Sequence, residues 1–265
     1  MNITNQSLDN KVAIVTGAGQ GIGKAIAKAF ASLGCHVVCT ARTLADIEAT
    51  CDEINREFAG SQVDNATGHL AVPFQADVCH ADDRQALVNF TLAKFNRITH
   101  LVNTVGGGGP CPFTKIDTNT LSNIFDLNVT TAAHLIQLCQ VHMINSGGGN
   151  VINISSAAAK LVQQNFSAYA AVKAALDHFT RNIAQELAPE VRVNAISPGP
   201  IATKALMDVA PEAMLEQMAE RTPMQRIGNV EDIANAACFF ATDASSWITG
   251  QILAVDGGAE QPIFN

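Results

Sequence analysis

Val12-Ala13-Ile14-Val15-Thr16-Gly17-Ala18-Gly19-Gln20-Gly21-Ile22-Gly23 decides the architecture. The run Val12–Thr16 reads as a buried strand, and Ile22, Ala25, Ile26, Ala29, Phe30 and Leu33 then recur at helical spacing as far as Gly34. Between them lies a glycine-rich turn. Glycine accepts positive φ and lets backbone approach a ligand closely, while the N–H groups that open a helix favour negative charge. Alone, such glycines could serve a plain structural turn. Between a strand and a helix they predict a pyrophosphate cradle built from Gly17, Gly19, Gln20, Gly21, Ile22 and Gly23.

The same alternation continues outward. Strands are predicted at His36–Thr40, near Leu70–Gln75, and at His100–Asn103, Val151–Ser155, Val191–Ala195 and Ile252–Val255. Helices are predicted at about Leu44–Phe58, Asp82–Phe95, about Asn119–Asn145, Ala168–Leu187, within Thr203–Arg221, and at Glu231–Ala241. Strands joined by helical crossovers are parallel, and strands this apolar need cover on both faces. Right-handed crossovers then give an α/β, single-domain, doubly wound Rossmann fold: a seven-stranded parallel sheet with helices on both faces, spanning residues 1–265. No proline- or serine-rich linker and no internal repeat divides it. Gly106–Gly109 and Gly147–Gly149 fall at element junctions and read as loops.

The 265 residues are 48% hydrophobic and 15% charged, too apolar for disorder and too evenly interrupted for a membrane span. With 16 basic against 24 acidic residues the chain is not expected to bind nucleic acid. Met1–Asn10 has neither a basic start nor an apolar core, so no secretion signal is expected. The seven cysteines (Cys35, Cys39, Cys51, Cys79, Cys111, Cys139, Cys238) show no Cys-x-x-Cys spacing and fall mostly in apolar segments. They read as reduced core residues of a cytoplasmic protein. The seven histidines show no His-x-x-x-His spacing, and no metal is expected.

A cradle of this type suits a nicotinamide dinucleotide. An acid at the end of the second strand would hold an adenosine ribose hydroxyl, whereas an arginine suits a 2′-phosphate. Here the strand ends in Thr40-Ala41-Arg42-Thr43, and the first acid, Asp46, lies a turn into the next helix. Arg42 without a carboxylate at position 41 favours NADP(H) over NAD(H); the alternative is a solvated surface cation. Asp77, with Val78, closes the third strand and is placed to meet the adenine or to start the next helix.

Tyr169, the chain's one tyrosine, stands four residues before Lys173, so on a helix the two share a face. A phenol is a poor base near neutrality, but an adjacent ammonium favours the phenolate and makes it a usable general acid–base. Val172, Leu176, Phe179 and Ile183 form the buried stripe beside them. Taken alone, the pair could be an ordinary surface contact. Ser155 and Ser156 follow the strand at the sheet edge where α/β ligands bind. Asn128 lies on an apolar stripe with Leu121, Phe125, Ala132, Leu135 and Cys139, either as structural glue or as part of a proton path.

Together these residues resemble the short-chain dehydrogenase/reductase family over nearly the full length. The similarity is carried by Thr16–Gly23, Asp77, Asn128, Ser156, Tyr169, Lys173 and Arg192-Val193-Asn194-Ala195-Ile196-Ser197-Pro198-Gly199. The resemblance implies a catalytic tetrad. Tyr169 would transfer the proton, Ser156 would hold the substrate oxygen, and Lys173 would lower the tyrosine pKa and contact the nicotinamide ribose. Asn128 would support a water relay. Ser156 rather than Ser155 is implied because it stands thirteen residues before Tyr169. Pro198, Gly199, Ile201 and Thr203 would meet the nicotinamide carboxamide. Where the family usually carries Asn-Asn-Ala-Gly, this chain has Asn103-Thr104-Val105-Gly106; Asn103 and Gly106 keep the turn, and the contacts of the middle residues are in doubt.

The region of about 198–222 resembles the family's substrate-binding segment, and its Ile201, Leu206, Met207, Val209, Met214, Leu215 and Met218 suggest a bulky apolar alcohol or ketone. Any one of them could equally be packing. Gly106–Phe113 and Ser246–Leu253 resemble the bacterial 7α-hydroxysteroid dehydrogenases, which act on bile acids, although many relatives of those enzymes carry the acid that position 41 lacks. Three readings follow: an NADP(H)-dependent hydroxysteroid dehydrogenase, a reductase of a 3-oxoacyl thioester or cyclic ketone, and a cofactor-binding sensor without turnover. The intact tetrad argues against the third. Family resemblance also implies a homotetramer, with which the partly apolar ending Gln261–Asn265 is compatible.

Overall fold

The computed structural model describes residues 7–58, 70–208 and 210–259. Met1–Gln6, Val209 and the ending Gln261–Asn265 lie outside the described residues. Strands β1 (Val12–Thr16), β2 (His36–Ala41), β3 (Ala71–Gln75), β4 (His100–Asn103), β5 (Gly149–Ile154), β6 (Val191–Pro198) and β7 (Ile252–Val255) form one sheet in the order β3-β2-β1-β4-β5-β6-β7. Every pairing is parallel, with Ile14 opposite Val38 on one side and Leu101 on the other. The chain therefore reverses direction across the sheet between β1 and β4, which opens a crevice at their carboxyl ends.

Period-two alternation sorts the strand residues into two cores. Ala13, Val15, Val37, Cys39, Val102, Ile152 and Ile196 face one layer. There they meet Ile26 and Phe30 of α1 (Gly21–Ser32) and Ile233 and Phe240 of α9 (Val230–Ala241). Ile14, Val38, Leu101, Val151 and Val193 face the other, against Leu87 of α3 (Ala81–Phe95) and Leu135, Cys139 and Met143 of α5 (Thr131–Asn145). Helix α2 (Leu44–Glu57) buries Ile47, Cys51 and Ile54 beside the first layer.

Two differences from the predicted elements bear on the site. Strand β6 runs on to Pro198 because Ala195–Pro198 continue the register with Ile252–Val255. The predicted helix Asn119–Asn145 is α4 (Thr118–Phe125) and α5 joined by a π-helical turn, Asp126–Thr130. A wider turn adds a residue and rotates what precedes it about the axis. Leu121 and Phe125, assigned to the buried stripe by simple spacing, are consequently 45% and 43% exposed, while Asn128 inside the turn is buried.

Helix α6 (Ser167–Leu187) packs on β6, and the segment after β6 folds as α7 (Lys204–Met207) and α8 (Glu212–Arg221). Cys35, Cys39, Cys51 and Cys139 are core residues as expected, but Cys79 is exposed and Cys111 and Cys238 are half-buried. Strand β7 forms a sheet edge, and near it Trp247 stands 99% exposed. Among the described residues no helix is long and apolar enough to cross a membrane.

Candidate active site

A cleft of about 470 Å³ lies in the crevice beyond β1 and β4, walled by the glycine-rich turn, Thr40–Thr43, Ala76–Cys79, Thr104–Gly106 and Thr203–Ala205. Its floor admits no side chains. Gly17 has φ +62°, and a Cβ there would sit 2.6 Å from Thr104 Oγ1; a Cβ on Gly23 would sit 2.7 Å from the Gly17 carbonyl carbon. Thr104 fixes this floor by donating its backbone N–H to Thr16 Oγ1 (2.9 Å) and its hydroxyl to the Thr16 carbonyl. A bare backbone cradle at the start of α1 fits the diphosphate of a dinucleotide. The substitution of Thr104 for the family's usual asparagine therefore keeps a structural task.

At the adenosine end Arg42 is exposed and lines the cleft, as do Asp77 and Val78. Asp77 Oδ1 accepts the Cys79 N–H (3.0 Å), which holds its carboxyl below the usual range. Its own N–H donates to Asp83 Oδ2 (2.8 Å), so the residue both faces the cleft and shapes the entry to α3. Asp46 also lines the cleft: a Cβ on Gly19 would come within 2.8 Å of its Cβ. Asp46, the first acid after β2 and a turn into α2, is brought over the glycine turn by the return of that helix.

Gly17, Gly19, Gln20, Gly21, Ile22, Gly23, Gly106 and Thr203 line the cleft as expected. Six do not: Tyr169 and Lys173, which stand behind the wall at Gly106–Gly108, and Asn103, Pro198, Gly199 and Ile201. Asn103 is buried and donates to Asn153 Oδ1 (2.9 Å), a sheet-internal bond. Pro198 ends β6, and Gly199 donates its N–H to Val255 (3.1 Å) and packs on Asp256. Ile201 is 6% exposed and bridges Gly228 inside the core. Chain direction brings Thr203, not these, over the turn. Met218 likewise belongs to the core, whereas Met207 and Met214 are exposed.

Behind the Gly106–Gly108 wall, Ser156 caps a short turn, Ala157–Ala159, at the end of β5 by accepting the Ala158 N–H (3.2 Å), and its hydroxyl faces the Tyr169 phenol. Lys173, one turn along α6, sends Nζ to the Ile154 carbonyl (3.0 Å) and lies 5.8 Å from the Tyr169 ring centroid. A Cβ on Gly106 would meet Asn128 Oδ1 at 2.6 Å and Lys173 Nζ at 2.9 Å, so both groups converge on the cleft wall. Asn128 is held from both ends: Nδ2 donates to Gly107 and Ile124 carbonyls (2.8 Å each) and Oδ1 accepts the Gly107 N–H (3.1 Å). Gly108 passes against the Tyr169 ring, and the loop beyond it is tied down by the Cys111 N–H on the Asn165 carbonyl (2.6 Å).

The electrostatics depart from the expectation. Burial pulls the Lys173 ammonium down to about 8, with the Asp177 charge opposing the fall. Burial pushes the Tyr169 phenol above its ordinary value, and the Ser156 hydrogen bond only tempers the rise. In the protein alone desolvation dominates the phenol, and Lys173 directs its Nζ to the Ile154 carbonyl. Asp177 was missed in the sequence, although an acid four residues after Lys173 was there to be seen.

The family model described as enoyl-(acyl carrier protein) reductase matches residues 17–260. The 7α-hydroxysteroid dehydrogenase of Escherichia coli (strain K12) is 39% identical over 265 residues, covering 99% of each chain. An uncharacterised oxidoreductase of Mycobacterium tuberculosis is 41% identical over 258 residues, covering 96% of this chain and 94% of that one. Among solved structures, a 7α-hydroxysteroid dehydrogenase complexed with NADH and 7-oxo glycochenodeoxycholic acid superposes with a TM-score of 0.91 at 39% identity, covering 99% of both chains.

Proposed function

The chain belongs to the short-chain dehydrogenase/reductase family of oxidoreductases, and on that footing we propose that it is an NADP(H)-dependent hydroxysteroid dehydrogenase. It interconverts a secondary alcohol and a ketone on a bile-acid-like substrate, at the 7α position. The observation that carries this reading is the grouping of Ser156, Tyr169, Lys173 and Asn128 behind the Gly106–Gly108 wall of the glycine-lined cleft. The chain-wide likeness to 7α-hydroxysteroid dehydrogenases supports the substrate class.

The turn Gly17–Gly23 would hold the diphosphate, Arg42 a 2′-phosphate, and Thr203 the nicotinamide end. A bound nicotinamide dinucleotide supplies hydride exchange. Tyr169 gives its proton to the substrate oxygen in reduction and takes it back in oxidation, while Ser156 holds that oxygen in place. Lys173 contributes the positive charge that makes the phenolate accessible, so its ammonium must survive burial. Asn128 pins Gly107 and thereby the loop that shields the Tyr169 ring. Phe113, Val162 and Met207, 80%, 90% and 49% exposed, supply apolar surface on the flanking loops and α7. A second reading, reduction of a 3-oxoacyl thioester, draws on the match to the enoyl-(acyl carrier protein) reductase family model. The protein is proposed to work in the cytoplasm as a homotetramer.

The test is a panel: NADPH and NADH against bile acids hydroxylated at different positions, 3-oxoacyl thioesters and cyclic ketones. The expected outcome is preference for 7α-hydroxylated bile acids with the phosphorylated cofactor; preference for an acyl thioester establishes the second reading instead. Arg42→Asp tests the cofactor separately. A charge-assisted contact contributes about 1.5–3 kcal/mol, and exchanging it for repulsion should lower the NADPH-to-NADH ratio of kcat/KM by roughly tenfold or more. An unchanged ratio would show that Arg42 is only a solvated cation, with Asp46 the residue that governs the ribose.

A further inference from the structure

We propose that Asp177, seconded by Ser155, is a positioning residue that keeps the Lys173 side chain charged behind the active site. The inference rests on the functional reading above, which gives Lys173 its task. Asp177 follows Lys173 by four residues and Tyr169 by eight on the unbroken helix α6, so the three share one face. It is 8% exposed, and its Oδ1 is buried without a well-formed hydrogen bond. A carboxylate in that setting is costly unless neighbours hold its charge.

The neighbours are few and specific. Burial pushes the Asp177 carboxyl above its ordinary value, opposed by Ser155 and by the charges of Arg181, one turn after it along α6, and Lys173, one turn before. From the end of β5, the Ser155 hydroxyl faces it; that hydroxyl is 4% exposed and also lacks a well-formed bond. The π-helical turn contributes Asn128, which is neutral and reaches the same wall as Lys173. The Asp177 charge is the one that opposes the burial-driven fall at Lys173. The adjacent serines thus divide the work: Ser156 turns to Tyr169, and Ser155 to the carboxylate that supports the lysine.

The sign follows directly. With Asp177 in place burial already brings the ammonium to about 8. Without the carboxylate the pKa falls further, the ammonium is lost at lower pH, and the phenolate loses its support. Asp177→Asn keeps the shape and removes the charge. Acetylation of Lys173 by acetic anhydride across a pH series, read by peptide mass spectrometry, reports the ammonium without needing turnover. Its midpoint should fall by about one pH unit or more, and the alkaline limb of kcat for alcohol oxidation should move with it. Ser155→Ala, which keeps the carboxylate but makes it harder to ionise, should shift both in the same direction by less. A midpoint that stays in place in folded Asp177→Asn, or in Ser155→Ala if the first variant does not fold, overturns the proposal. A carboxylate with only a structural role would lower the melting temperature and leave the midpoint unmoved. A wild type that oxidises no alcohol would count against the functional reading, and the labelling midpoint would still judge Asp177.

Discussion

Tyr169→Phe should remove all but about a thousandth of turnover, within the range usual for a lost general acid–base, while NADPH still binds within about twofold of wild type. The ring itself has structural neighbours that phenylalanine keeps: Gly108 lies against one face, and Phe166 meets it edge-on at 6.3 Å between centroids. Only the hydroxyl and its bond to Ser156 are lost. The substitution therefore separates chemistry from folding. The measurement is kcat on the best alcohol of the panel, beside a fluorescence titration with NADPH. A variant that keeps more than about a tenth of wild-type kcat would show that the proton travels by another group, since loss of a general acid–base should cost far more.

Gly23→Ala should weaken cofactor binding by about a hundredfold or more, the equivalent of roughly 2.7 kcal/mol. The reason is steric and local. The added carbon would lie 2.7 Å from the Gly17 carbonyl carbon and 3.0 Å from Thr104 Oγ1. Backbone on one side and a hydrogen-bonded threonine on the other leave nothing flexible to yield. Either the turn opens or α1 backs away from it, and both spread the N–H groups that would meet the diphosphate. Overpacking of this kind typically costs about 1–3 kcal/mol of stability as well, so the melting temperature should drop alongside affinity. Binding at wild-type strength in a folded variant would place the diphosphate elsewhere.

The sheet was legible because its central strands are buried on both faces and their apolar runs are nearly unbroken, although the edge strand β7 is partly exposed. Val12–Thr16 shows this most plainly, lying between β2 and β4 with every residue buried. The helix after β4 was legible in extent but not in phase. A π-helical turn inserts a residue without disturbing composition, so the spacing that put Leu121 and Phe125 inside could not register the rotation that exposes them. At the site, the glycine turn and the Tyr169–Lys173 pair could be singled out because their chemistry depends on short spacings within single elements, whereas Ser156 was reached through the family resemblance. Asn103, Ile201 and Pro198 lie outside the cleft lining because their surroundings come from distant segments: Asn153, Gly228 and Val255. Thr104 shows the converse, a departure from family pattern whose compensation by Thr16 becomes visible only when β1 and β4 lie side by side.

Trp247 gives the molecule a built-in spectroscopic reporter of its own exterior. As the chain's one indole, 99% exposed in the protomer, it should fluoresce like a water-bathed dye and change little when the core melts, so emission is a poor probe of unfolding here. By the same token, any blue shift that grows with protein concentration would be an optical record of subunits closing over that corner.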